Sequence, residues 1–315
     1  MFRWPLIRYL PREFHIDFVR LAPFAAIISA LFVLGSIGSF IYQGLNLGID
    51  FRGGALIEVE NTKGPAPLAA LRAALPKAGA HDGQVQAFGS PETAGLRFRT
   101  EGKDAIADAE IVKTKLKVMF PDIRFKPAEV VGPKVSGELL TGGFLALGIA
   151  LVLMLAYIWF RFQLQFGLGA VVAVFHDVAL TLGLLSFTQI EFSMTSIAAL
   201  LTVIGYSMNE KVITFDRLRE NLRKYKTTPL RDVINRSENE RLSRTLITGT
   251  TAILALAGAF FLGGPVLFPL VSTMVFGIFI GTYSSVYVAL PIILLWGVRR
   301  NDDAAVPLKP ANVRP

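Results

Sequence analysis

The sequence places ionisable side chains inside stretches that are otherwise apolar. His176 and Asp177 interrupt one such stretch, Glu210 and Lys211 interrupt the next, and Arg244 lies near the start of another. A charged group in a bilayer costs about 2.5–3.5 kcal/mol on insertion scales, so it usually faces other helices or water and often marks an ion path. Burial drives a carboxylate toward its neutral form and a nearby cation drives it toward ionisation, so their relative movement can load or release a proton. We therefore expect proton transfer to be the chemistry of these groups.

Arg244 is the predicted partner of Glu210. Ser237 and Glu240 have the spacing of a capping box, which predicts a helix that begins at Ser237 and carries Arg244 about two turns inside it, at about 1.5 Å per residue. A plainer interpretation treats Asp177 and His176 as hydrogen-bonded packing residues and extends Lys211 to the cytoplasmic surface. The complete candidate proton path is Glu210, Arg244, Asp177, His176, Asn209, Lys211 and Asp216.

The apolar residues that surround these groups come in blocks of membrane-spanning length. Of 315 residues, 52% are hydrophobic and only 18% are charged, and a crossing of about 30 Å needs about 20 apolar residues in a helix. The pattern predicts a six-helix transmembrane bundle. Its predicted spans are residues 21–42, 139–160, 166–188, 193–216, 243–262 and 268–298.

Basic residues lie on one side of the predicted membrane. Lys and Arg precede the first span, crowd residues 217–242 and follow the last span, whereas the connections 189–192 and 263–269 contain neither. The positive-inside rule then places both termini and 217–242 in the cytoplasm and residues 43–138 outside. The net charge of +8 therefore indicates topology and contact with membrane lipid, not nucleic-acid binding.

The cytoplasmic ends are predicted to be simple. Residues 1–20 form an N-terminal segment that leads into a retained membrane anchor, because the following apolar run is longer than that of an ordinary signal peptide. The proline-containing segment 304–315 is predicted to be a disordered tail.

Residues 43–138 differ sharply in composition and predict one exported α+β domain. Alternating and helical segments follow one another in the order βαββαβ, which is the ferredoxin-like arrangement. The glycine-rich GIDFRGG leads from the first span into the first strand, and it is predicted to be a turn or a hinge. Its hinge residues are Gly48, Asp50, Phe51, Gly53 and Gly54. The domain offers no catalytic set, and we predict no enzyme activity, metal or cofactor.

Five collinear motifs resemble the SecF family of the resistance-nodulation-division superfamily. They cover nearly the whole chain. The motifs are LGIDFRGG at 47–54, VVGPKVSGEL at 130–139, FHDV at 175–178, IGYSMN…FDRLREN at 204–221 and NRSENERLSRT at 235–245.

The resemblance implies a subunit that works with a SecD-like partner in the bacterial inner membrane. It implies use of the proton-motive force to draw unfolded preproteins from the SecYEG channel, with YajC- or YidC-type proteins as accessory partners. Arg244 matches the arginine of the family's SRT motif and would be the charge partner in the proton path. Glu210 and Lys211 stand where the family commonly has Asp and then Thr or Ser, and Arg241 stands where a smaller residue is common.

Two other classes of function stay open. Half of a small-molecule proton-coupled exporter would also carry intramembrane charges, although full exporters of this kind have two six-span halves and larger external domains. A purely structural subunit would use the same charges only to lock helices together.

Overall fold

The computed structural model describes residues 14–88, 90–99 and 105–298. The predicted tail 304–315 and most of the predicted segment 1–20 lie outside these residues. In chain order the elements are α1 (Phe18–Gln43), α2 (Ile49–Arg52), β1 (Gly54–Asn61), α3 (Leu68–Ala78), β2 (His81–Phe88), β3 (Ser90–Arg99), α4 (Ala105–Met119), β4 (Ile123–Val131), α5 (Pro133–Arg161), α6 (Leu164–Thr188), α7 (Met194–Lys224), α8 (Leu230–Leu262), α9 (Gly264–Ser284), a π turn (Ser285–Ala289) and α10 (Leu290–Trp296).

Five helical stretches among the described residues are long and apolar enough to cross a membrane. They are Phe18–Gln43, Lys134–Arg161, Leu164–Thr188, Leu230–Leu262 and Leu267–Trp296. The predicted fourth span lies within α7, whose charged residues keep it below that level of hydropathy. The crossing of the membrane by α7 therefore stays a prediction.

The bundle has the burial pattern expected for a lipid environment. Large apolar side chains such as Phe24, Ile41 and Phe261 are exposed, whereas Asp177 and Glu210 are buried. Without water to hydrate them, charged groups are most stable against one another inside the bundle. α7 runs through the centre and packs against α5, α6, α8 and α9.

The predicted helix start at Ser237 is wrong. α8 is continuous from Leu230 to Leu262, with Pro229 as its N-cap residue, so Ser237 lies in its interior. The Ser237 hydroxyl is buried within it and donates to the carbonyl of Val233 at 2.7 Å. No proline or glycine lies between Leu230 and Ser237 to break the helix. The Ser237 hydroxyl therefore bonds to the carbonyl four residues earlier instead of capping a helix start.

The α+β domain between α1 and α5 has two helices against a four-stranded sheet. Its elements follow the order β1, α3, β2, β3, α4, β4, and the strand order in the sheet is β2-β3-β1-β4 with every pairing antiparallel. Leu71 and Leu75 from α3, and Leu116 from α4, are fully buried against the sheet residues Ile57 and Leu96. The alternation of β1 and the 3–4 residue spacing of the helices supply these two apolar faces.

Candidate functional site

Asp177 forms the centre of one buried polar cluster. Its Oδ2 lies 2.8 Å from the Lys211 Nζ and accepts hydrogen bonds from Ser207 Oγ at 2.5 Å and Ser284 Oγ at 2.7 Å. Its Oδ1 lies 3.0 Å from Nδ1 of His176. The cluster joins α6, α7 and α9, and both oxygens of the carboxylate have polar neighbours.

His176 lies between this cluster and an apolar cavity. The cavity is about 520 Å³, lies between α1, α6 and α9, and is lined by His176, Phe32 and Phe276 among others. The imidazole stacks on Tyr283 with ring centroids 6.1 Å apart. Its buried Nε2 has no hydrogen-bond partner in the part of the chain that the structure describes.

Glu210 belongs to a second cluster that α8 completes. Its Oε1 lies 2.6 Å from Nη1 of Arg241 and accepts a 2.5 Å hydrogen bond from the Thr245 hydroxyl. Arg241 also binds Glu238, with Nε 2.8 Å from Oε1 and Nη2 2.6 Å from Oε2. The side chains of Glu210 and Glu238 are both 1% exposed. Two buried carboxylates thus share one guanidinium.

The π turn after α9 brings the two clusters together. Ser284 donates to Asp177 of the first cluster, and its neighbour Ser285 accepts a 3.0 Å hydrogen bond from Arg241 Nη2 of the second. In a regular α-helix consecutive side chains point about 100° apart, and a π turn shifts that register. A movement of α9 would therefore act on both clusters.

The structure separates the predicted site residues. Asp177, His176, Lys211 and Glu210 lie in the two clusters, but Lys211 binds Asp177 and neither pairs with Glu210 nor extends to the surface. The predicted contact between Arg244 and Glu210 is wrong. Arg241 makes it, because Arg244 lies three residues further along α8 and is exposed. The predicted role of Arg244 in a proton path stays a prediction.

Two further candidates lie outside the clusters. Asn209 is exposed on α7. Asp216 is also exposed and pairs with Arg161 at the end of α5, with Oδ1 2.9 Å from Nη2. They share a helix with Glu210 but face away from it.

Sequence reasoning missed Arg241, Glu238, Thr245, Ser284 and Ser285 as site residues. The three α8 residues lie at positions i, i+3 and i+7 of one helix, which is the spacing of a single face. The sequence shows this spacing as a polar stripe that leads into the predicted fifth span. Ser284 and Ser285 show no such pattern in the sequence, because they face the two clusters only as a result of the change from α-helix to π turn after Ser284.

The GIDFRGG segment contacts the connection between α6 and α7 and the first residue of α7. The Gly48 N–H donates to the Phe192 carbonyl at 2.9 Å, and the ring of Phe51 packs on that of Phe192 at 5.5 Å. Asp50 Oδ2 accepts a 2.9 Å hydrogen bond from the N–H of Met194, the first residue of α7. The hinge role of this segment stays a prediction, and its contacts connect the α+β domain to α7, the helix that carries Glu210 and Lys211.

An ion pair and a glycine conformation fix the entry to the sheet. Arg97 of β3 binds Glu191, and both side chains are 20% exposed. Gly54 has φ +130°, and a Cβ there would lie 2.6 Å from the Phe98 carbonyl oxygen. Only glycine allows this close approach of β1 to β3.

At the other end of the bundle, α8 holds the segment before α1. The side-chain amide of Asn239 accepts from the Ile16 N–H and donates to its carbonyl, both at 2.8 Å. Asp17 caps α1 through the Arg20 N–H and accepts a 2.7 Å hydrogen bond from Asn235. These bonds lower the pKa of Asp17, the one from the Arg20 backbone most.

Together, the apolar helices, the buried ion pairs and the inserted α+β domain define a multi-pass membrane protein. Residues 111–299 match the family described as protein export membrane protein SecD/SecF, C-terminal, and residues 39–60 match the SecD/SecF GG motif. The chain belongs to the SecD/SecF family. The GG match covers the segment that joins α1 to β1.

The similar relatives are SecF subunits of protein translocases, a transport role. The chain is 44% identical to protein translocase subunit SecF of Cereibacter sphaeroides over 306 residues, which is 93% of each chain. It is 45% identical to that of Magnetococcus marinus over 299 residues, 92% of this chain and 95% of the relative. The resemblance to the SecF family is thereby confirmed.

Two solved structures share the architecture. The crystal structure of SecDF, a translocon-associated membrane protein from Thermus thermophilus, matches with a TM-score of 0.79 at 30% identity over 91% of this chain. SecDF in a super-membrane-facing form matches with a TM-score of 0.69 at 31% identity over 94% of this chain. The chain spans 39% and 40% of those longer chains.

Proposed function

We propose that this chain is the SecF-like subunit of a SecD–SecF complex that uses proton-motive force to promote preprotein translocation through the SecYEG channel and release from it. In this proposal the chain crosses the inner membrane six times, with α7 as the fourth crossing, both termini in the cytoplasm and a ferredoxin-like domain outside. YajC- or YidC-type proteins are proposed accessory partners. The sequences of the SecF relatives and the antiparallel β2-β3-β1-β4 sheet support this assignment.

The observation that carries the proton coupling is the charge count of the Glu210 cluster. Two carboxylates, Glu210 and Glu238, share the single guanidinium of Arg241 at 2.6 Å each. One negative charge is therefore left over in a buried site, and binding of one proton neutralises it. A site that alternates between neutral and singly negative states is what proton coupling requires.

The membrane potential supplies enough energy for such a site to do work. One elementary charge that crosses 100 mV is worth about 2.3 kcal/mol. Ser284 contacts the first cluster and Ser285 the second, and Asp50 binds the N–H of Met194 at the start of α7. Proton binding at Glu210 would thus reach the external domain through α7, which carries both Glu210 and Met194.

A purely structural role is the second candidate, and the many hydrogen bonds of both clusters favour it. Preprotein export into inverted membrane vesicles separates the two. We expect Glu210→Gln to assemble normally and to lose most of the export that an uncoupler abolishes in the wild type. The matched control is Glu220→Gln, an exposed glutamate on the same helix, which is expected to keep it. Normal, uncoupler-sensitive export by Glu210→Gln would reject the proton-coupling proposal.

Co-purification tests the partner. We expect a SecD-like chain to remain bound to this chain in mild detergent. Recovery of this chain without a SecD-like chain from native membranes in mild detergent would contradict the assignment.

A further inference from the structure

The ammonium group of Lys211 lies inside a cage of oxygen atoms. Its Nζ is 2.8 Å from Asp177 Oδ2, 3.0 Å from Ser284 Oγ and 3.4 Å from the Ser207 carbonyl oxygen, and it also contacts Ser207 Oγ. The Lys211 side chain is 0% exposed. Three helices contribute these oxygens: α6, α7 and α9.

The set of oxygens is the kind that binds a metal cation. Carboxylate, hydroxyl and carbonyl oxygens are the ligands that hard cations prefer. A lysine ammonium is a compact point charge with three donors, and here it meets four oxygens. Lys211 therefore occupies the centre of the cage in place of an ion.

Other contacts hold the cage in position even apart from the lysine. His176 binds the second oxygen of Asp177, which keeps Oδ2 directed at the cage. Thr181 donates to the Asp177 carbonyl at 2.7 Å, and Ser284 lies 3.2 Å from the Gly281 carbonyl. A simple packing lysine would need one carboxylate partner and no such convergence of hydroxyls.

We propose that Lys211 is a tethered cation that fills a monovalent-cation site at Asp177 and so excludes free Na⁺ and K⁺ from the bundle interior. The Asp177–Lys211 pair is neutral, whereas the Glu210 cluster next to it keeps one uncompensated negative charge. The lysine thus leaves the Glu210 cluster as the ion-binding site. Its role in restricting the coupled ion to the proton rests on the proposed function, but the cation site itself does not.

Two substitutions of equal charge but different size test the site. Lys211→Ser empties the cage and adds a hydroxyl, whereas Lys211→Met removes the charge but fills the space. In purified full-length chain, we expect Na⁺ or K⁺ at 300 mM to raise the apparent melting temperature of Lys211→Ser by at least about 3 °C over choline at the same ionic strength. Lys211→Met and the wild type are expected to respond equally to all three cations.

Three results would overturn the proposal. They are an equal response of Lys211→Ser to Na⁺, K⁺ and choline, the same Na⁺ or K⁺ response after Asp177→Asn is added, and a specific Na⁺ or K⁺ stabilisation of the wild type. The wild-type arm applies even if Lys211→Ser does not fold. The melting experiments test the cation site, and the export assay tests the proposed function. Either proposal can therefore fail while the other holds.

Discussion

Replacement of Arg241 by Met is the sharpest test of the buried Glu210 cluster. Arg241 is the guanidinium shared by two carboxylates that are each 1% exposed, and it also binds Thr245 at 2.8 Å and Ser285 at 3.0 Å. Removal of one partner from a buried ion pair costs about 3–5 kcal/mol because the other charge stays buried. We therefore expect Arg241→Met to destabilise the bundle by at least that amount, or about 10 °C in apparent melting temperature.

Replacement of either glutamate is expected to cost less stability than replacement of Arg241, because the cluster holds two carboxylates and one guanidinium. Glu238→Gln leaves Glu210 paired with Arg241, and Glu210→Gln leaves Glu238 paired with it, so each variant holds one neutral pair. We expect each to cost less than about 2 kcal/mol, since a neutral hydrogen-bonding group replaces the surplus charge. The arginine should therefore be far less replaceable than either glutamate.

The lack of cysteine in the chain provides a clean assay. Ala173 is 0% exposed in α6, so an Ala173→Cys background reports bundle unfolding through a thiol-reactive dye. Arg244→Met is the matched control, because this arginine is exposed one turn further along α8, and it should lie within about 0.5 kcal/mol of the background. Equal losses in Arg241→Met and Arg244→Met would refute the reasoning.

Three further predictions concern the parts around the site. Gly54→Ala should increase hydrogen exchange in β1 and β3 far more than Gly64→Ala does. Both glycines have positive φ, but only a Cβ at Gly54 would meet a backbone oxygen, that of Phe98 at 2.6 Å. Equal effects would show that the strain of positive φ alone matters. The carboxylate of Asp17 has a lowered pKa, so its stabilisation is complete above its unfolded pKa and is lost as pH falls through the folded one. The melting difference between wild type and Asp17→Asn should therefore shrink from pH 7 to pH 3, and a constant difference would contradict this. Asn239→Ala should increase hydrogen exchange in the segment before α1, which its amide holds by two 2.8 Å bonds; unchanged exchange would show that α1 is held elsewhere.

Much of the architecture could be read from blocks of apolar residues. The spans in α1, α5, α6, α8 and α9–α10, and the β1-α3-β2-β3-α4-β4 order, follow from hydropathy and period alone, because lipid and a two-layer domain each impose a simple pattern. Ionisable residues inside those blocks also marked the site, and Asp177, Lys211 and Glu210 are all buried in the bundle.

The pairing of those charges was decided only by the tertiary structure. α8 begins at Leu230 and not at Ser237, and the rotation of the helix about its axis turns Glu238, Arg241 and Thr245 inward and leaves Arg244 exposed. Lys211 and Glu210 are adjacent in sequence, yet about 100° of helix rotation sends them to different clusters. Sequence determines which groups must avoid lipid, since that cost belongs to each residue. Which partner each group finds depends on helix rotation and on the π turn of a distant helix, and neither is encoded near the charge itself.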